Sequence, residues 1–248
     1  CPAMSQPALW AVVPGAGTGQ RMGASLPKQY LSLAGQTIAQ RTLSQLVTAD
    51  LFSKIIIALA DDDHHFLDLP IAQSAQIETV VGGASRAASV VNGLHALADY
   101  AAADDWVMVH DIARPLITVE AMNKLVNAVG PQDVAAILAT RIHDTVKRSG
   151  IYNSAPEALP IVEATLDRRR LWLAQTPQMV RYGLLVEAMT QAEKQQEVTD
   201  EASAVEFLGR PVLLVENTQQ NIKITTAEDL RLAEYYLLDS VGLAEVSQ

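Results

Sequence analysis

The regular alternation of short apolar runs with stretches of helical periodicity most constrains what this chain can fold into. Residues 9–13, 54–59, 77–81, 106–110 and 133–140 read as strands. Between them, Ile38, Leu43, Leu46 and Val47 fall on one helical face, as do Val90, Val91, Leu94 and Leu97. Runs such as Ile55-Ile56-Ile57 suit strands covered on both sides. Strands alternating with helices give an α/β fold of Rossmann-like character around a mostly parallel sheet. Ligands in such sheets bind outside the carboxyl ends of the strands. Chemistry is therefore expected in the loops 15–28, 82–89 and 111–115.

Charge narrows the partners. There are 28 acidic and 18 basic residues, a net charge of −10, which argues against a nucleic-acid partner. It also disfavours an anionic substrate unless basic residues converge on one cleft. The one cysteine, Cys1, allows no intrachain disulfide and fits a reducing compartment, so a cytoplasmic location is expected. No apolar run is long enough to span a bilayer, and no membrane partner is expected. With Met4 as the expected start and no leader, residues 4–248 are expected to form a single domain.

The stretch 141–170 breaks the alternation, with Gly150, Pro156, Pro160 and scattered charge. It is too long for a simple connection, and reads as a protruding arm of two strands that makes a homodimer. Beyond it, 182–195 and 200–208 read as helices, the latter capped by Thr199, and 211–215 as a strand. A capping box from Thr225 to Glu228 opens the last helix. The pattern assigns no element to 116–132 or 171–181.

Pro14-Gly15-Ala16-Gly17-Thr18-Gly19-Gln20-Arg21-Met22-Gly23 follows the first strand. Glycines let several backbone N–H groups approach a phosphate. The dinucleotide spacing is missing, since Gln20 and Met22 stand where the third glycine belongs, and no Gly-Lys-Ser/Thr follows. Arg21 and Lys28 flank the loop, and Pro27 forbids one helix through both, so the two cations can face one point. Two cations beside a backbone nest suit a triphosphate. Asp61-Asp62-Asp63-His64-His65 reads as a solvated, acid-rich helix start rather than a metal site, and His110 as a packed strand-end histidine. Trp10, Trp106 and Trp172 read as core or interface residues.

From Val13-Pro14 through Arg21-Met22 to Pro27-Lys28-Gln29-Tyr30, the chain resembles the opening of the 2-C-methyl-D-erythritol 4-phosphate cytidylyltransferase family. Four more blocks resemble the family in order: Gly82-Gly83 with Arg86 and Ser89-Val90, His110-Asp111 with Ala113-Arg114-Pro115, Thr199-Asp200-Glu201-Ala202-Ser203, and Asn221-Ile222-Lys223-Ile224-Thr225. Asp144-Thr145-Val146-Lys147-Arg148 and Asp167-Arg168 match within the arm. The chain departs from the family's usual residues at Gly15, Ile112 and Gln220.

The resemblance implies transfer of CMP from CTP to methylerythritol phosphate, with Mg2+ held mainly by the CTP phosphates. It implies that Arg21 and Lys28 stabilise the pentacoordinate phosphorus and Lys223 orients the attacking phosphate. Arg168 and Thr145 would reach the substrate of the neighbouring subunit. Asp111, Arg114 and Thr199 would hold the polyol phosphate. Pro14, Gly15, Ala16, Gly17, Gly82, Arg86, Ser89 and Ile112 would bind the nucleotide. Other readings are an enzyme using a different polyol phosphate such as ribitol 5-phosphate, a dinucleotide oxidoreductase and a non-catalytic nucleotide sensor.

Overall fold

A computed structural model describes residues 7–17, 26–150, 159–192 and 199–246. In chain order its strands are β1 (Leu9–Pro14), β2 (Ser32–Leu33), β3 (Gln36–Thr37), β4 (Lys54–Leu59), β5 (Ile77–Val81), β6 (Trp106–Val109), β7 (Ala135–Arg141), β8 (Val146–Ser149), β9 (Val162–Leu166), β10 (Trp172–Arg181) and β11 (Leu213–Glu216). The helices are α1 (Ile38–Thr48), α2 (Arg86–Ala96), α3 (Val119–Asn127), α4 (Tyr182–Ala192), α5 (Glu201–Phe207) and α6 (Ala227–Val246).

Seven strands form one sheet in the order β11-β7-β10-β6-β1-β4-β5. All neighbouring pairs are parallel except the two made by β10, which runs antiparallel to β6 and β7. The α/β class and mostly parallel sheet read from the sequence are observed.

Side chains of one strand supply both faces, as the period of two requires. Ala11 and Val13 of β1 join Ile55, Ile57 and Met108 under α1 and α3. Trp10 and Val12 join Ile56, Val107 and Val109 on the other face, under α2, α4 and α5. Ile55, Ile56 and Ile57 are all fully buried, each contributing about 1.5–3 kcal/mol. A smaller cluster of Leu33, Ile38, Ile224 and Ala233 ties the β2–β3 hairpin to α6, and so fixes the segment carrying Lys223.

Two caps are displaced by one residue from the sequence reading. Asp200, not Thr199, caps α5: its carboxylate accepts from Ser203 N at 2.9 Å while Ser203 Oγ accepts from Asp200 N at 3.1 Å. The carboxylate is simply the stronger acceptor for the orphan N–H groups. At α6, Thr226 Oγ1 accepts from Asp229 N at 3.2 Å and the Asp229 carboxylate accepts from Thr226 N at 2.8 Å, whereas Glu228 turns to Arg231.

The stretch 141–170 contains the two strands expected, β8 and β9, paired antiparallel as a separate two-stranded sheet. Residues 151–158 within it lie outside the described residues. Trp10 and Trp106 are buried, and Trp172 lies under the Arg141 guanidinium, 4.2 Å from its ring centre.

Candidate active site

The loops singled out in the sequence meet. Pro14, Gly15, Ala16 and Gly17 leave β1; Gly83, Ala84 and Ser85 follow β5; Asp111, Ile112 and Ala113 follow β6. With Lys28, Gln29, Arg86, Ser89 and Lys223 they line a cleft of about 250 Å3 at the carboxyl ends of the strands. Arg21, Thr18 and Gly19 lie outside the described residues.

Backbone bonds set the floor. Gly15 N donates to Ala58 O and Gly82 N to Leu59 O, both at 2.7 Å, which lays the two glycine turns side by side. A Cβ on Gly82 would come within 2.5 Å of the Ala16 Cβ, so only glycine lets the turns touch. Gly82 thereby packs behind Ala16, and it is Gly83 that lines the cleft. Ser89 is buried, and its hydroxyl is used within the turn, accepting from Gly83 N at 3.1 Å and donating to Ser85 O at 3.0 Å. Gln29, to which the sequence reading gave no role, is also buried and donates its amide to Gly15 O at 2.9 Å.

One wall is a chain of charges. Arg86 donates to both oxygens of the fully buried Glu201, at 2.7 and 3.1 Å, and through Nε to Asp111 Oδ1 at 2.8 Å. Lys223 Nζ sits 2.9 Å from Asp111 Oδ2, with Arg114 Nε at 3.7 Å from that oxygen. Lys28 Nζ reaches Ile224 O at 3.3 Å, next to Lys223 in sequence. Burial opposes ionisation of Asp111, yet Arg86 and Lys223 outweigh it and hold the carboxyl well below the usual carboxylate range. Burial likewise opposes the Arg86 charge, but Glu201 and Asp111 raise its pKa above the ordinary value. Arg114 lies outside the cleft lining; burial lowers its pKa, and its guanidinium donates to Asn221 O at 2.7 Å.

His110 is fully buried beneath this wall. Arg114 O can only accept, so His110 Nε2 carries the proton and donates to it at 3.1 Å. The bare Nδ1 then accepts from Thr176 Oγ1 at 3.0 Å, while that oxygen accepts from Asp111 N, also at 3.0 Å. A neutral imidazole thus clamps the 110–114 loop, and burial pushes its pKa down to about 4.

Thr145, Thr199 and Arg168 do not line this cleft. Thr145 and Arg168 are exposed just before β8 and just after β9, where Arg168 donates to His143 O, and Thr199 is exposed ahead of α5. The His64-His65 stretch is a capped turn: Asp63 accepts from the backbone N of His65 and of Phe66, each at 3.0 Å, and from the Tyr30 hydroxyl at 2.6 Å. Among the described residues no group of three or more His, Cys, Asp and Glu could hold a metal ion. Among the described residues Asp111 is the one carboxylate lining the cleft, and it already has cations on both oxygens.

Backbone turns and lysines at the open end of an α/β sheet define a nucleotide-binding domain whose cleft suits a polyanion. The model of the family described as 2-C-methyl-D-erythritol 4-phosphate cytidylyltransferase (IspD) matches residues 9–239. A protein of that name from Vibrio vulnificus is 41% identical over 236 residues, covering 95% of this chain and 97% of the relative. One from Pseudomonas aeruginosa is 43% identical over 226 residues, covering 90% and 94%. The crystal structure of the Francisella tularensis enzyme superposes with a TM-score of 0.75 at 35% identity, covering 92% of this chain and 99% of that one. The chain belongs to the 2-C-methyl-D-erythritol 4-phosphate cytidylyltransferase family, a family of nucleotidyltransferases.

Proposed function

We propose that this chain transfers CMP from CTP to 2-C-methyl-D-erythritol 4-phosphate, releasing pyrophosphate, as a step toward isoprenoid precursors in the cytoplasm. The observation that carries this is the convergence of Lys28, Lys223 and the Pro14–Gly17 backbone on one cleft. An oxygen of the acceptor phosphate attacks the α-phosphorus of CTP. That P–O bond forms as the bond to the β-phosphate oxygen breaks. The phosphate oxygen is already ionised at neutral pH, so no nucleophilic side chain and no strong base is needed. The requirement is positioning and charge neutralisation. Lys28 faces the charge growing on phosphorus, a role also assigned to Arg21, and Lys223 orients the attacking phosphate. Pro14, Gly15, Ala16, Gly17, Ser89 and Ile112 line the cleft for the nucleotide, with Gly82 packed behind Ala16 and Arg86 engaged by Glu201 and Asp111; Asp111 faces the acceptor, and Arg114 and Thr199 lie outside the lining.

The cleft's one lining carboxylate is taken, so the described residues do not fit a protein-held ion. A divalent ion would enter on the triphosphate and neutralise part of its charge. The arm completes the site from a second copy: Leu159, Ile161 and Val162 are exposed along it and Leu173 just beyond it, apolar side chains suited to a dimer partner. Arg168 and Thr145 would then reach the partner's acceptor.

The test is pyrophosphate release from CTP and Mg2+ with methylerythritol phosphate and ribitol 5-phosphate as parallel acceptors. Release with the first alone is expected. Release with ribitol phosphate alone overturns the acceptor, and CTP binding without release overturns the transferase.

A further inference from the structure

Glu201 is a buried charge that the proposed reaction does not use. It is the first residue of α5 and fully buried, and its carboxylate takes both terminal nitrogens of Arg86, the first residue of α2. Gln178 of the central strand β10 fixes it there. The Gln178 side chain accepts from Ala202 N at 2.9 Å and donates to Asp200 Oδ2 at 2.9 Å, gripping the residues on either side.

The consequence lies at Asp111. A guanidinium pairs most strongly with a carboxylate through two parallel N–H···O bonds. Glu201 grips both terminal nitrogens and so fixes the plane of the guanidinium, and in that orientation Arg86 gives Asp111 Nε alone, on Oδ1. The second oxygen, Oδ2, is left to Lys223 Nζ at 2.9 Å. Without Glu201, Asp111 is the carboxylate that remains paired with Arg86, and the guanidinium is free to turn toward it. Two-point pairing there would put a second N–H on Oδ2, in competition with Lys223.

We propose that Glu201 is a positioning residue for the acceptor phosphate, keeping Arg86 from covering Asp111 and so holding Lys223 at the cleft. This rests on the assignment of Lys223 to the acceptor.

Glu201→Gln offers one acceptor oxygen instead of two, and Glu201→Asp keeps the charge one methylene further back. Each is compared with wild type in steady-state turnover, varying CTP and methylerythritol phosphate separately, with folding checked by thermal unfolding. The proposal expects the acceptor KM to rise on the order of tenfold in Glu201→Gln, and less in Glu201→Asp, with the CTP KM within about twofold of wild type. Should Glu201→Gln not fold, Glu201→Asp carries the same comparison. A change in melting temperature with both KM values unmoved, or a proportional rise in both, overturns it. A crystal structure of Glu201→Asp reads the claim without turnover, so inactive wild-type protein would sink the proposed reaction alone. Lys223 Nζ should leave Asp111 Oδ2; an unmoved Lys223 contradicts the proposal.

Discussion

Gly15 and Ile112 form one packing unit under the cleft, and the pair can be taken apart. A Cβ on Gly15 would lie 3.2 Å from Ile112 Cδ1 and 3.4 Å from both Ala58 O and Leu59 Cδ2. The first contact is too close and the other two are ordinary. The φ of Gly15 lies outside the left-handed region, so alanine can adopt the backbone. Two effects compete in Gly15→Ala: overpacking costs about 1–3 kcal/mol, and a stiffer unfolded chain returns about 0.4–1 kcal/mol. Ile112 is nearly fully buried and walled by the strand ends, so the overpacking wins. Gly15→Ala should lose about 1 kcal/mol, a drop of roughly 2–4 °C in Tm for a chain of this size. Ile112→Val removes only the clashing methyl, at about 0.5–1.5 kcal/mol. In that background Gly15→Ala should be neutral or stabilising. Urea unfolding of the four proteins measures the coupling, expected at about 1 kcal/mol or more. Equal costs for Gly15→Ala in both backgrounds would refute the packing argument.

Three further outcomes follow from the geometry. His110 stays neutral in the fold down to about pH 4 but takes a proton near 6.5 when unfolded. Stability is therefore complete above pH 6.5 and falls below it, by about 2 kcal/mol at pH 5, and His110→Gln should flatten that slope in urea titrations. Asp200→Ala should cost about 1–2 kcal/mol of stability in thermal unfolding, whereas Thr199→Ala, which removes no cap, should leave Tm close to wild type. If the arm shares sites between subunits, mixing inactive Arg168→Ala and Lys28→Ala chains should restore part of the activity; no recovery after verified subunit exchange contradicts the shared site.

Strands β1, β4 and β6 were legible because each is an apolar run buried on both faces, and the edge strand β5 because its β-branched residues stand out between polar turns. β10 was not, although it lies inside the sheet. It carries Pro177, which argues against a central strand, and its register shifts between Ala174 and Gln178. Its polar residues are buried for a purpose no periodicity reveals. Thr176 holds Asp111 and His110, and Gln175 accepts from Asn217 and Asn221 at 2.9 and 3.1 Å. The site was readable where its residues cluster in sequence, at Pro14–Gly17, Lys28 and 111–113. The Arg86–Glu201 pair spans 115 positions, and only the fold reveals it. A carboxylate in the first turn of a helix reads from sequence as dipole complement, and nothing local says it faces inward.

The central claim is that this lysine-lined cleft carries the transfer, and comparing Lys28→Ala with wild type in a CTP-dependent pyrophosphate-release assay tests it most directly. The account predicts a folded variant whose kcat falls by about 10²–10³, the loss of one contact worth about 3–4 kcal/mol in the transition state. A folded Lys28→Ala protein turning over within about threefold of wild type, well under 1 kcal/mol in barrier, would place the reaction elsewhere.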